Sequence, residues 1–129
     1  METTSGCIAM PLVPGRREPS DKSEMVTQLL FGEYYTVLEE SKKWILIKND
    51  ADGYECWIDR KQHTPITEKL NLDTMASAPL SKLNRNNQSI FIPMGSKVAK
   101  SDFEINRARF KYQASEAGVK NPVQLSLNL

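Results

Sequence analysis

Apolar and polar residues alternate along the first half of the chain in short runs separated by clusters of turn-forming residues. Residues 20–24 are a polar stretch after Pro19, a loop by composition, and they lead into Met25, Val26, Leu29, Leu30 and Phe31. Gly32 ends that apolar run. Tyr34, Tyr35, Val37 and Leu38 then supply the β-branched and aromatic residues of a half-buried strand. After a polar break at Glu40, Ser41, Lys42 and Lys43, Trp44, Leu46 and Lys48 alternate with Ile45, Ile47 and Asn49 as the two faces of a strand do. Residues 50–53, Asp-Ala-Asp-Gly, suit a tight hairpin turn, and residues 54–58 return as the next strand. Residues 58–62 are too polar for more sheet and predict one short helical turn before Thr64, Pro65 and Ile66.

The second half is less regular. Residues 70–83 mix Ala, Ser and Pro with isolated apolar positions, residues 84–87 are a turn by residue type, and residues 90–96 read as a strand ending in a turn marked by Pro93 and Gly95. Phe103, Ile105, Ala108, Phe110 and Tyr112 predict a last strand whose apolar phase shifts between Ile105 and Ala108, as a bulge would cause. Arg107, Arg109 and Lys111 then fall on one face of that strand. The halves share no clear sequence repeat.

At 129 residues and 40% hydrophobic content the chain is long enough for one domain or two very small ones. Its net charge of +1 conceals a division. Residues 1–66 hold eight Lys or Arg against eleven Asp or Glu, and residues 67–129 hold nine against five. The acidic first half favours cationic partners such as a free amine or a diamino acid. The basic excess of the second half is too small to predict nucleic-acid binding. No segment approaches the roughly 20 apolar residues of a bilayer-spanning helix. Residues 1–6 are polar, and Ser5-Gly6-Cys7 lacks the apolar stretch of a lipoprotein signal. The expected location is cytoplasmic; the alternative is the cell envelope, with an export signal already removed.

Catalytic chemistry finds little support. Cys7 and Cys56 are too few for a disulfide framework and are expected to be free thiols. A cysteine nucleophile needs a base beside it, yet His63, the single histidine, falls in a polar turn, whereas Cys56 lies in an apolar strand where burial raises a thiol pKa. One His and two distant Cys make no zinc set, the carboxylates lack calcium-loop spacing, and the scattered glycines form no phosphate loop. No metal, cofactor or catalytic residue is expected.

Val13, Arg16 or Arg17, Glu18-Pro19-Ser20, Ser23-Glu24, residues 28–33, Trp44 and residues 54–59 together resemble a known family. It is the bacterial SH3-like domain at the front of NlpC/p60-type cell-wall cysteine peptidases, γ-D-glutamyl-L-diamino acid endopeptidases. Cys56 stands where such domains usually carry Gly. The resemblance implies an all-β chain of two small SH3-like barrels in tandem, residues 7–66 and 67–120, followed by a tail at 121–129. It further implies that the first barrel helps recognise the free amino end of a murein stem peptide through an acidic residue and a tyrosine. Carried over by motif position, Glu18 or Glu24 would hold the amine and Tyr54 would line the site, while Trp44 and Trp57 are expected in the core. The Asp-Cys-Ser-Gly-like motif of the peptidase domain occurs nowhere in the chain. The implied role is therefore a non-catalytic peptide-binding or substrate-gating module, partnered by a murein stem peptide or a downstream peptidase domain. The competing expectation is a stand-alone protein-interaction adaptor on the same barrels, since fold does not fix function.

Overall fold

The computed structural model describes residues 4–113; the predicted tail at 121–129, like residues 114–120, lies outside them. Among the described residues the architecture is all-β and antiparallel, with one 3-10 turn at Arg60–Gln62. In chain order the first strands are β1 (Ser5–Cys7), β2 (Leu12–Arg16), β3 (Met25–Leu30), β4 (Tyr34–Glu40), β5 (Trp44–Asn49), β6 (Glu55–Asp59) and β7 (Pro65–Ile66). These form one seven-stranded sheet in the order β3-β2-β6-β5-β4-β1-β7. Then come β8 (Thr74–Met75), β9 (Leu80–Arg85), β10 (Gln88–Pro93), β11 (Lys97–Val98), β12 (Phe103–Ile105) and β13 (Ala108–Tyr112). They give a four-stranded sheet, β10-β9-β13-β12, and a two-stranded ribbon, β11-β8. No helix among the described residues is long and apolar enough to cross a membrane.

In β5 and β6 the alternation read from the sequence becomes burial. Ile45, Ile47 and Ile58 are fully buried with Val13, Leu29 and Tyr35, while Trp44 and Trp57 lie half-buried on the opposite face. The expectation that the two tryptophans belong to the core is thus corrected. Odd and even positions of a strand point to opposite sides, and the branched aliphatics already occupy the inner one.

Cys56 causes no distortion where the family usually carries Gly, because it pairs regularly with Ile47 in β6. The missing side chain is at Gly15 instead, where a Cβ would lie 2.5 Å from the Cys56 sulfur and 2.8 Å from the Thr27 methyl. Bulges fall between Gly15 and Arg16 and between Val37 and Glu39.

The second half departs from the sequence reading in three places. Asn84 and Arg85 complete β9, and the turn narrows to Asn86 and Asn87, whose φ values of 49° and 70° suit the twist of a two-residue hairpin. The supposed single strand over 103–112 is a hairpin, β12 and β13, reversed at Asn106 and Arg107 with φ 52° and 80°. The apolar phase shift marks that turn rather than a bulge, and Arg107 leaves the strand face it was expected to share. Residues 70–83, read as irregular, contain β8 and the start of β9.

Two buried clusters result. One lies inside the seven-stranded sheet around Tyr35, Ile45 and Ile58. The other gathers Leu83, Ile92, Phe103, Ile105 and Phe110 from the second half, and it also takes in Cys7 and Phe31 from the first. Gly32 permits this approach. Its φ of 86° is left-handed, and a Cβ there would overlap the Lys97 carbonyl, whose residue in turn donates its backbone N–H to the Phe31 carbonyl at 2.8 Å.

Candidate ligand-binding groove around Trp44

Trp44 opens β5 directly opposite Asp59, the last residue of β6. Its backbone is held on both sides, since Trp44 N–H donates to the Ser41 hydroxyl at 3.2 Å and Ser41 N–H donates to the Trp44 carbonyl at 2.8 Å. Asp59 caps the 3-10 turn by accepting the Lys61 N–H at 2.8 Å, which orients its carboxylate beside the indole. Arg60 is anchored at the edge of the larger cleft, donating to Glu40 at 2.7 Å and to the Ser41 carbonyl at 3.0 Å.

The third wall is the loop between β2 and β3. Glu18 N–H donates to the Ser23 hydroxyl at 2.9 Å, Ser20 N–H to the Glu18 carbonyl at 2.7 Å, and Arg16 to the Ser23 carbonyl at 3.1 Å. These bonds fold the loop over and bring Asp21 to the groove. Asp21, Trp44 and Asp59 line two adjoining clefts. One, of about 120 Å³, is completed by Pro14, Arg16 and Gln62; the other, of about 320 Å³, by Lys42, Lys43, Arg60 and Lys61. Two carboxylates beside an indole make a receptor for a cation, through charge and through the π face. The basic rim offers partners for carboxylates on the same ligand.

The three residues expected at the site sit elsewhere. Glu18 and Glu24 are exposed, as is Tyr54, and none lines either cleft. All three surround Arg17. The Arg17 guanidinium is held above its usual range first by its hydrogen bond to Glu24, 3.3 Å away, and by that carboxylate's charge, with Tyr54 and Glu18 adding to the same effect. Glu24 is therefore already engaged by a cation, although an exposed pair of this kind is weak. The sequence reading did not single out Asp21 or Asp59 and assigned Trp44 to packing. The signal was present: the strand alternation itself puts Trp44 on the face opposite Ile45 and Ile47.

The remaining reactive groups are inward-facing. Cys7 and Cys56 are free and buried, and burial pushes the Cys7 thiol up to about 12 and the Cys56 thiol, with help from the charge of Asp52, up to about 11. The His63 ring bonds to the Tyr35 hydroxyl, 2.8 Å from Nδ1, and burial lowers its pKa, with Glu40 opposing and Arg60 reinforcing the shift. Among the described residues no group of three or more His, Cys, Asp or Glu side chains is placed to hold a metal ion.

No curated protein matches the chain. Residues 15–62, which run from within β2 through the 3-10 turn and contain every residue of the Trp44 groove except Pro14, match the family model of the bacterial dipeptidyl-peptidase Sh3 domain. This part of the chain, somewhat over a third of it, is similar to a bacterial SH3-like domain.

Proposed function

We propose that this chain is a non-catalytic binding module that holds a murein-type stem peptide by its free amino end for an NlpC-type cysteine peptidase domain. The observation that carries the reading is Trp44 flanked by Asp21 and Asp59 within the segment that matches a peptidase-associated SH3 domain. In an L-alanyl-γ-D-glutamyl-diamino acid peptide, cationic amines and anionic carboxylates follow one another along a short chain. The amine fits between Asp21 and Asp59 against the indole, and the carboxylates fit the larger cleft, where Lys42 and Lys61 lie. This differs from the carry-over by motif position, which gave the amine to Glu18 or Glu24 and contact to Tyr54. Arg17 competes for those carboxylates, whereas Asp21 and Asp59 form no ion pair among the described residues. The buried, high-pKa thiols support a role in binding rather than in nucleophilic attack.

The test is a fluorescence and chemical-shift titration with L-alanyl-γ-D-glutamyl-meso-diaminopimelate and with its N-acetylated form. The free-amine peptide should perturb Trp44 and the amides of residues 21, 44 and 59, and acetylation or Asp59→Asn should weaken binding by roughly tenfold or more. The Asn side chain keeps the capping acceptor while removing the charge. Equal binding of the acetylated peptide, or shifts centred on Glu18, Glu24 and Tyr54, would reject the Trp44 groove as the amine site.

A further inference from the structure

The four-stranded sheet buries one face and leaves the other open. Leu83, Ile92 and Phe110 point into the core, so their neighbours point outward. Strand register shows which outward residues meet. Lys111 lies opposite Asn84, Asn84 opposite Ser89, and Phe91 opposite Lys82. Phe91 is 55% exposed at the centre of β10, far more than a core aromatic. Beside these residues, at the β9–β10 turn, a cavity of about 340 Å³ is lined by Asn84, Asn86, Asn87, Asp102, Arg109, Phe110 and Lys111. Its wall is braced, because Asn86 accepts the Arg109 N–H at 2.9 Å and donates its own N–H to the Arg109 carbonyl at 2.8 Å.

The chemistry of this face differs from that of the Trp44 groove. Residues 80–113 carry seven Lys or Arg against two Asp or Glu, so the unit attracts anions. Three carboxamides offer N–H donors, and the Asn87 oxygen is an acceptor that neither Arg109 nor Ser89 takes, which matches hydroxyl and acetamido groups. Asp102 is an acceptor that a hydroxyl satisfies and a phosphate does not. Lys111 forms no ion pair among the described residues and is available to a carboxylate. A cavity of this size lies at the small end of the ligand-site range of roughly 300–1,000 Å³, with room for one sugar ring. Two residues along β10 from Ser89, about 7 Å, Phe91 offers a flat apolar surface for the next ring.

We infer that the outer face of β9, β10 and β13 binds a carboxylate-bearing, N-acetylated oligosaccharide, with one ring in the Asn84–Asn87 cavity, its carboxylate on Lys111 rather than on Arg109, which Glu104 engages at 3.5 Å, and a neighbouring ring on Phe91. This site is independent of the amine-binding groove and survives if that reading fails.

A chemical-shift titration of the intact chain with three probes tests it: a tetrasaccharide of alternating N-acetylglucosamine and N-acetylmuramic acid, the neutral N-acetylglucosamine tetramer, and a short oligothymidylate. The acidic tetrasaccharide should shift the amides of residues 84–91, 102 and 109–111 and leave residues 21, 44 and 59 unmoved. Phe91→Ser and Lys111→Gln, both at exposed positions, should each weaken it by roughly five- to tenfold, and the neutral tetramer should bind correspondingly more weakly. No shift on this face at about 10 mM acidic tetrasaccharide, a weak-binding limit, would overturn the assignment. So would tighter binding of oligothymidylate, which would mark a general polyanion surface, or retention of full affinity in both variants.

Discussion

The Tyr35 hydroxyl sits 2.8 Å from His63 Nδ1 and accepts the Thr64 backbone N–H at 2.9 Å, tying the start of β4 to the segment that leads into β7. Tyr35 is fully buried, and a hydroxyl has one proton to give. It donates that proton to an unprotonated Nδ1 while accepting from Thr64. A protonated ring would turn Nδ1 into a second donor and leave the tyrosine proton without a partner.

From this follows a pH dependence with a definite sign. Burial sets the folded-state pKa of His63 below its ordinary value near 6.5. The unfolded chain then binds the proton more readily, so His63 contributes stability that is complete above the unfolded pKa and is lost as pH falls toward the folded one. Urea unfolding of the wild type should show a midpoint that declines between about pH 7 and 5, and His63→Gln should flatten this slope. An identical slope in the variant would assign the effect to carboxylates instead.

Phe31 lies in the turn between β3 and β4 but packs edge-to-face on Phe110, with ring centroids 5.1 Å apart, and on Phe103 with centroids 6.2 Å apart. Truncating a fully buried aromatic leaves a cavity and costs about 3–5 kcal/mol. Phe31→Ala should lower the urea midpoint for probes in both sheets, because Phe31 is shared between them. A loss confined to one sheet's probes would show that the two unfold separately.

Gly15 and Cys56 form a complementary pair across β2 and β6. Gly15→Ala drives a Cβ toward the Cys56 sulfur and the Thr27 methyl, and overpacking of this kind costs about 1–3 kcal/mol. Cys56→Ala removes the sulfur, so the double variant should recover part of what Gly15→Ala loses, a non-additive pair measurable by a double-mutant cycle of denaturation free energies. Strict additivity would mean that the backbone has moved aside.

Most of the first sheet was legible because its signals are local. The alternation of β5, the return of residues 54–58 and the polar turn at Arg60–Gln62 each follow from neighbours in the chain. The second half was read less well. Its hairpins reverse on Asn86-Asn87 and Asn106-Arg107 rather than on glycine, and Arg107 carries none of the usual markers of a left-handed turn. The surroundings of the expected site residues were not legible for a different reason. Glu18, Glu24 and Tyr54 follow from a motif, but whether a carboxylate is free depends on which cation reaches it.

Residue order by itself determined that this chain is all-β, that its first half carries a bacterial SH3-like pattern, and which residues of β5 face inward, since strand periodicity and turn chemistry act over a few bonds. Only the tertiary structure decided that Asp21 joins Asp59 at Trp44, that Arg17 occupies Glu24, and that Phe31 completes the second core. Those relationships join residues distant in sequence, and they are set by strand register and by the space that glycine at positions 15 and 32 leaves open.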